Sequence, residues 1–187
     1  MKKNAVDKTL KNVVGPKKSG SFYLGVCNDS VISGYCIDAP PSAIYICRFI
    51  LPSYDNIEFL HLSLGKRLLT VPQTGSEESF DLSDFLRRDW SEFSRINDSE
   101  SLLRYIDAEQ LDGTYSLWAR YLTLVRRNDF SAAEELLGAG AAKSFSELRA
   151  ISQNFAELSD AKNRSGWDGC SALLSRWLQK TKATYCP

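Results

Sequence analysis

Histidine is nearly absent from this sequence, since His61 is the only one among 187 residues. A single histidine excludes the HExxH motif of zinc proteases, sites built from several histidines and the two-histidine iron triad. A metal site would have to depend on cysteine ligands. A Ser-His-Asp triad would have to use His61, and no serine lies in a G-x-S-x-G motif. We therefore expect no metal site, and we assign no residue a catalytic role.

Glycine-rich nucleotide loops are also missing. Residues 15–20, GPKKSG, have the spacing of a phosphate loop up to its second glycine, but Ser21 and Phe22 stand where lysine and a hydroxyl residue belong. The segment precedes a predicted strand, so no helix N-terminus would meet a phosphate. Residues 138–142, GAGAA, follow a predicted helix and are typical of a helix C-terminus. We expect no cofactor.

Neither a net charge nor a long apolar run is present. Lys and Arg number 23, as do Asp and Glu, so no overall field attracts nucleic acid or an acidic membrane. No run approaches the ~18 apolar residues of a membrane span. The basic residues 2–3 are not followed by the apolar core of a signal peptide. We expect a cytoplasmic protein that binds neither membranes nor nucleic acid.

Cysteine occurs five times, an odd number, without a CxxC pair. This pattern fits a reducing compartment better than a disulfide framework. Cys27, Cys36 and Cys47 fall in three consecutive predicted strands, which could bring them near one another or near His61. Zinc bound by three cysteines and His61, or a nucleophilic cysteine paired with His61, is geometrically conceivable. Because cysteine is commonly a small core side chain, we expect inert thiols.

Residues 21–64 are rich in β-branched and aromatic residues, with turn-forming segments at 28–30, 39–42 and 53–56. They predict four antiparallel strands, the last over residues 59–64, and residues 67–71 could add a fifth. The alternation in the first strand predicts one aliphatic face, which carries Leu24, and one aromatic and polar face, which carries Tyr23.

Helices are predicted on both sides of this sheet in the sequence. Val6, Leu10, Val13 and Val14 have helical spacing in the N-terminal segment, and the chain after a polar boundary near residues 72–79 is helical. We predict an α+β fold: an antiparallel four- to five-stranded meander with an N-terminal helix and a helical C-terminal half packed on one face. We expect a single domain, with residues 1–72 as the sheet half and residues 76–187 as the helical half.

One segment of the helical half resembles a known repeat. The helix that begins at Thr114, the turn at Asn128-Asp129 and the AxEELL segment at residues 132–137 are similar to one tetratricopeptide-type helical hairpin over about 24 residues. No second copy follows at a period near ~34 residues, so the resemblance implies neither a solenoid nor a function.

The most charge-biased stretch runs from residue 76 to residue 112, where eleven acidic residues accompany four arginines. The arginines compensate part of this charge at i,i+4 spacing. We expect the excess to form a contact surface with fast, salt-sensitive association. The predicted binding residues are Asp84, Arg87, Arg88, Glu92, Arg95 and Glu100.

The leading hypothesis is a non-catalytic, cytosolic protein-binding module of undetermined oligomeric state. Its most concrete version is an immunity protein, an antitoxin that covers a basic protein partner with the acidic helices. The alternative is a small cysteine-dependent enzyme with a Cys/His61 site on the sheet. A second candidate binding face lies on the sheet. Its aromatic rings could stack on the bases of RNA or single-stranded DNA, but the strands carry little positive charge. The residues of this face are Tyr23, Tyr35, Arg48 and His61.

Overall fold

The computed structural model describes residues 3–72 and 81–186. A π-helical turn, Leu137–Ala141, joins the fifth helix to the sixth. The helices and strands, in chain order, are α1 (Lys3–Val14), β1 (Lys18–Ser19), β2 (Phe22–Cys27), β3 (Val31–Asp38), β4 (Ala43–Pro52), β5 (Lys66–Pro72), α2 (Leu82–Phe93), α3 (Ser99–Ala108), α4 (Thr114–Arg126), α5 (Phe130–Leu136), α6 (Ala142–Glu147) and α7 (Arg149–Tyr185).

The five strands form one antiparallel sheet in the order β1-β2-β3-β4-β5. Short connections between neighbours in sequence make them neighbours in space, as expected of a meander. The predicted α+β fold, with an N-terminal helix and a helical C-terminal half, is confirmed. The two-residue strand β1 was not predicted.

The strand predicted over residues 59–64 is wrong, because this segment is a loop and the chain rejoins the sheet only at Lys66. The alternation of leucines there has another cause. Leu60 packs beside Phe49 on the sheet, whereas Leu64 packs with Phe93 of α2. Leu62, between them, is 39% exposed. The leucines thus enter two different clusters instead of one sheet face.

A β-bulge in β2 reverses the predicted alternation of its side chains. The pairing with β3 shifts between Leu24 and Val26, so that Tyr23 lies opposite Tyr35 and Val26 lies opposite Ser33. Tyr23 and Val26 therefore share one face, and Leu24 lies on the other. The predicted division into an aliphatic and an aromatic face is wrong for this reason.

Both faces of the sheet are covered near its centre. The face with Tyr23 and Tyr35, which we call the inner face, packs against α1 and α2 through Leu10 and Leu86. The opposite face, which we call the outer face, is covered at one end by the loop after β4 and by Tyr185 at the end of α7. The sheet is thus a middle layer between two sets of helical and loop residues.

The helical half has its own apolar cluster around Trp118 of α4, which is fully buried. Helix α7 changes direction at Ser165 and Gly166, where Gly166 adopts a φ of +62° that favours glycine. Both parts of α7 therefore contribute to the cluster, Leu158 from the first and Leu174 from the second. Within residues 3–72 and 81–186, no helix is long and apolar enough to cross a bilayer.

A disulfide joins Cys27 of β2 to Cys186, just after α7, with a Cα–Cα distance of 5.8 Å and a sequence separation of 159 residues. The preference for reduced cysteines is therefore wrong for this pair. The positions of Cys27 and Cys186 in the sequence did not indicate a bond between them, because only the return of α7 across the sheet brings the two residues together. Cys36, Cys47 and Cys170 are free and buried.

A buried ion cluster connects the inner face of the sheet to the acidic helices. The Arg48 guanidinium lies 2.5 Å from Glu109 and 3.5 Å from Asp89, and its carbon is 5.0 Å from the ring centroid of Phe93. Tyr35 donates a hydrogen bond to Asp89 at 2.6 Å. Because a buried charge is costly without its partner, these groups hold α2 and the end of α3 against β4.

We predict that Arg48→Met lowers the free energy of unfolding by about 2 kcal/mol, because Asp89 loses its partly buried cation while Glu109 keeps Lys66 at 2.9 Å. The matched control is Arg88→Met, which removes an exposed arginine paired with Asp84 and should cost less than about 0.5 kcal/mol. Urea unfolding of both variants measures the difference. Equal losses of stability would contradict this role for Arg48.

Candidate functional site

A cleft of about 320 Å³ lies between the loop after β4 and the N-terminal ends of α4 and α7. We call residues 53–64 the cleft loop. It supplies the carboxyl group of Asp55, the amide of Asn56 and the rings of Phe59 and His61 to the cleft. Residues in the first turns of α7 also line the cleft. The lining residues are Asp55, Asn56, Ile57, Glu58, Phe59, His61, Ser63, Tyr115, Leu148, Arg149, Ala150, Gln153 and Asn154.

The Asp55 carboxylate forms the floor of the cleft and is only 4% exposed. The Tyr115 hydroxyl donates to one of its oxygens at 2.8 Å, and the Trp118 indole N–H donates to the other at 3.2 Å. The hydrogen bonds from Tyr115 and Trp118 thus engage both carboxyl oxygens of Asp55 inside the protein.

Burial dominates the protonation of these groups. It raises the pKa of the Asp55 carboxyl above its usual value, while the hydrogen bonds from Tyr115 and Trp118 act in the opposite direction. Burial also raises the pKa of the Tyr115 phenol well above its usual value, and the neighbouring Asp55 raises it further. Tyr115 therefore stays protonated and remains a donor to Asp55.

His61 forms part of the cleft wall beside two aromatic rings. Its ring centroid lies 4.5 Å from that of Tyr115 and 6.2 Å from that of Phe59, both in edge-to-face geometry. Burial lowers the pKa of His61 to about 4. The imidazole is therefore neutral near pH 7 and acts as part of an aromatic wall, not as a cation.

The mouth of the cleft is apolar and exposed. Phe59 is 65% exposed, and Leu148 on the opposite side is 37% exposed. With Leu62 of the cleft loop, these are the large hydrophobic side chains that stand exposed in the part of the chain that the structure describes. Single exposed apolar residues are ordinary, but a group around one cleft is typical of an interaction site.

Polar groups at the rim connect the cleft loop to α7. The Asn56 amide donates to the Asn154 side-chain oxygen at 3.0 Å, and Lys180 donates to the Asn56 side-chain oxygen at 2.7 Å. Glu58 and Arg149 are exposed and bring one charge of each sign to the lining. The rim can thus accept a partner's polar groups without a strong preference for either charge.

The cysteines of the three strands do not meet His61. None of them lines the cleft; Cys27 is in the disulfide, and Cys36 and Cys47 lie opposite each other on β3 and β4. Burial raises the pKa of both thiols, which disfavours the reactive thiolate. Across the described ranges, no three Cys, His, Asp or Glu side chains gather as a metal ion would require.

The second candidate face is not an open surface in the structure. Tyr23 is 1% exposed and Tyr35 is fully buried, because α1 and α2 cover the inner face. Arg48 lies on the same face within its ion cluster. His61 belongs to the cleft loop and not to the sheet, so the four residues do not come together.

The predicted acidic surface lies on the outside of α2 and at the start of α3, but most of its charge has an internal partner. Glu77 and Glu78 lie outside the described residues. Glu92, Arg87 and Arg95 are exposed, and none has an ion pair in the described ranges. The pairs and caps are Asp84 with Arg88 at 2.8 Å, Glu100 with Arg104 at 4.0 Å, Asp107 with Arg120, Asp89 and Glu109 with Arg48, and Asp81 and Asp98 as helix caps.

The sequence singled out His61 but not the residues that complete the cleft with it. Asp55 lies in the segment at residues 53–56, which we interpreted as a turn. Tyr115, Leu148 and Asn154 carried no signal, because they reach the cleft loop only through the packing of α4 and α7. The one available sign was the polar segment at residues 53–56, directly after a strongly apolar strand.

Comparison with protein-family models, with curated proteins and with solved structures finds no match to this chain. The arrangement of its residues therefore carries the functional argument alone.

We predict that the low pKa of His61 makes the protein less stable in acid. The unfolded chain takes up a proton on His61 near pH 6.5, whereas the folded chain does so only near pH 4. Between these values the unfolded state binds more protons, so stability falls as the pH falls. Between pH 7 and pH 4, the wild type should lose roughly 2 to 3 kcal/mol more than His61→Gln.

Urea unfolding of the two proteins across this range measures the effect. Both proteins keep Asp55, whose raised pKa changes stability with pH in the opposite direction. The difference between the two stability curves therefore reports the contribution of His61. Parallel stability curves, or an NMR titration of His61 with a pKa near 6.5, would show that the imidazole is not buried as described.

Proposed function

We propose that this protein is a non-catalytic protein-binding module and that it holds its partner at the cleft. The observation that carries the proposal is the pair of exposed apolar side chains, Phe59 and Leu148, that line a cleft together with the buried polar group of Asp55. Such a mouth fits an apolar side chain of a partner, and the exposed Glu58 and Arg149 in the lining can bind polar groups around it.

The chemistry of the cleft favours binding over catalysis. Both oxygens of the Asp55 carboxyl group accept hydrogen bonds from the protein, one from Tyr115 and one from Trp118, so a substrate would have to compete with them. His61 has aromatic neighbours, and the cysteines lie elsewhere. A general base or nucleophile needs a free position within hydrogen-bond reach of its target. The cleft offers apolar contact and hydrogen bonds instead.

The pairing of the acidic residues supports the cleft over the acidic helices as the contact surface. Acids that cap helices or bind Arg48 stabilise the fold, and exposed i,i+4 pairs are weak and screened by salt. Less negative charge is then free for a basic partner than the composition suggests. Toxin neutralisation is one role that a module of this kind can perform.

Two variants distinguish the two surfaces. Phe59→Ser combined with Leu148→Ser removes the apolar mouth, and serine at position 148 is also a favourable residue before α7. Asp84→Asn, Glu92→Gln and Glu100→Gln together remove acidic charge from α2 and α3. All five positions are at least partly exposed, so both variants should fold.

We predict that peptides selected from a displayed library against the wild-type protein bind at the cleft. Isothermal titration should show at least about tenfold weaker binding to the Phe59→Ser, Leu148→Ser variant, or about 1.4 kcal/mol. The acidic variant should bind as the wild type does. The opposite result would identify the acidic helices as the contact surface, and equal binding by all three proteins would contradict the cleft.

A further inference from the structure

We infer that the Cys27–Cys186 disulfide is a redox-sensitive clamp on the cleft loop, and that reducing it weakens binding at the cleft. The part of this inference that concerns binding rests on the proposed function. The part that concerns the loop rests on contacts from the disulfide-bonded end of α7 to Glu58 and Leu60, the two neighbours of Phe59.

The first contacts join the last turn of α7 to the sheet. Cys186, directly after α7, is bonded to Cys27 of β2. One turn earlier, Lys182 forms an ion pair with Asp29 at 2.5 Å, but both groups are largely exposed, so this pair contributes little. The disulfide is therefore the strong link at the end of the helix.

The next contacts join the same turn of α7 to the cleft loop. The Tyr185 hydroxyl donates to the Glu58 carbonyl at 3.0 Å, and Thr181 donates to the Asp55 carbonyl at 2.9 Å. Tyr185 also packs with Ile57 and Leu60 in the cluster on the outer face. Phe59, the most exposed apolar residue at the mouth, thus lies between residues that the end of α7 holds in place.

The position of this clamp makes it depend on the disulfide. Helix ends fray readily, because their last carbonyls lack partners within the helix. Tyr185 is the last residue of α7, so the disulfide one residue later adds a covalent restraint to the hydrogen bond and packing that hold it against the loop. Asp55, by contrast, is also bound by Tyr115 and Trp118. Loss of the disulfide should therefore release residues 57–61 and leave Asp55 in place.

The chemical step is thiol–disulfide exchange with a dithiol. The bond between the two sulfur atoms breaks, two electrons and two protons pass to Cys27 and Cys186, and the dithiol becomes a disulfide. Oxidation by a disulfide reagent reverses the step. The remaining cysteines, Cys36, Cys47 and Cys170, are already free thiols and need not change.

The test is hydrogen–deuterium exchange of the full-length protein, which needs no ligand. In the wild type treated with dithiothreitol, and in Cys186→Ser, the amides of residues 57–61 should exchange at least about fivefold faster than in the oxidised wild type. Amides of residues 44–50 in β4 should not change. Cys186→Ser should not respond to dithiothreitol, which controls for other effects of the reagent.

Binding is measured with a peptide selected on the oxidised protein, by titration before reduction, after reduction and after reoxidation. Affinity should fall at least about fivefold on reduction and return on reoxidation. Unchanged exchange in residues 57–61 would overturn the clamp, whether or not the cleft binds a partner. Faster exchange with unchanged affinity would overturn the switch and leave the proposed function standing. A selected peptide that binds the oxidised Phe59→Ser, Leu148→Ser variant as tightly as the oxidised wild type would instead contradict the proposed function.

Discussion

The structure depends on one buried carboxyl group, that of Asp55, at the junction between the sheet and the helical half. The turn that carries it ends β4, and the Tyr115 and Trp118 side chains that bind it both belong to α4. A carboxylate can be buried at an acceptable cost only when its hydrogen bonds are satisfied. The position of α4 against the sheet is therefore specified by polar geometry as well as by apolar packing.

Local patterns in the sequence predicted most of the fold. The helical spacing of Val6 and Leu10 in α1 was readable because it depends on neighbours within a few turns of one helix. The three leucines that alternate with other residues over positions 59–64 misled, since periodicity cannot distinguish a strand from a loop whose side chains enter two clusters. The bulge in β2 was likewise invisible, because it depends on Gly34 and on how β3 pairs with β2.

The candidate site was mostly beyond sequence reasoning for a physical reason. Its parts come from the loop after β4, from α4 and from both ends of α7, and residues such as Asn56 and Asn154 meet across 98 positions of the chain. The disulfide spans a still longer separation. Charge composition pointed to the acidic helices, but composition cannot show which acids are already paired with Arg48 or used as caps. The exposed Phe59 and Leu148 support the proposal that the cleft binds a partner, and substitutions at these two positions test it.

The most direct test of the account is urea unfolding of Asp55→Asn. The amide keeps the size of the side chain but can accept at only one atom, so the Tyr115 hydroxyl or the Trp118 N–H loses its acceptor inside the protein. We therefore expect the Asp55→Asn substitution to lower the free energy of unfolding by about 2 to 3 kcal/mol. The matched control, Asp112→Asn, changes an exposed aspartate and should leave stability within about 0.5 kcal/mol of the wild type. An Asp55→Asn protein as stable as that control would contradict the claim that this carboxylate holds the two halves together.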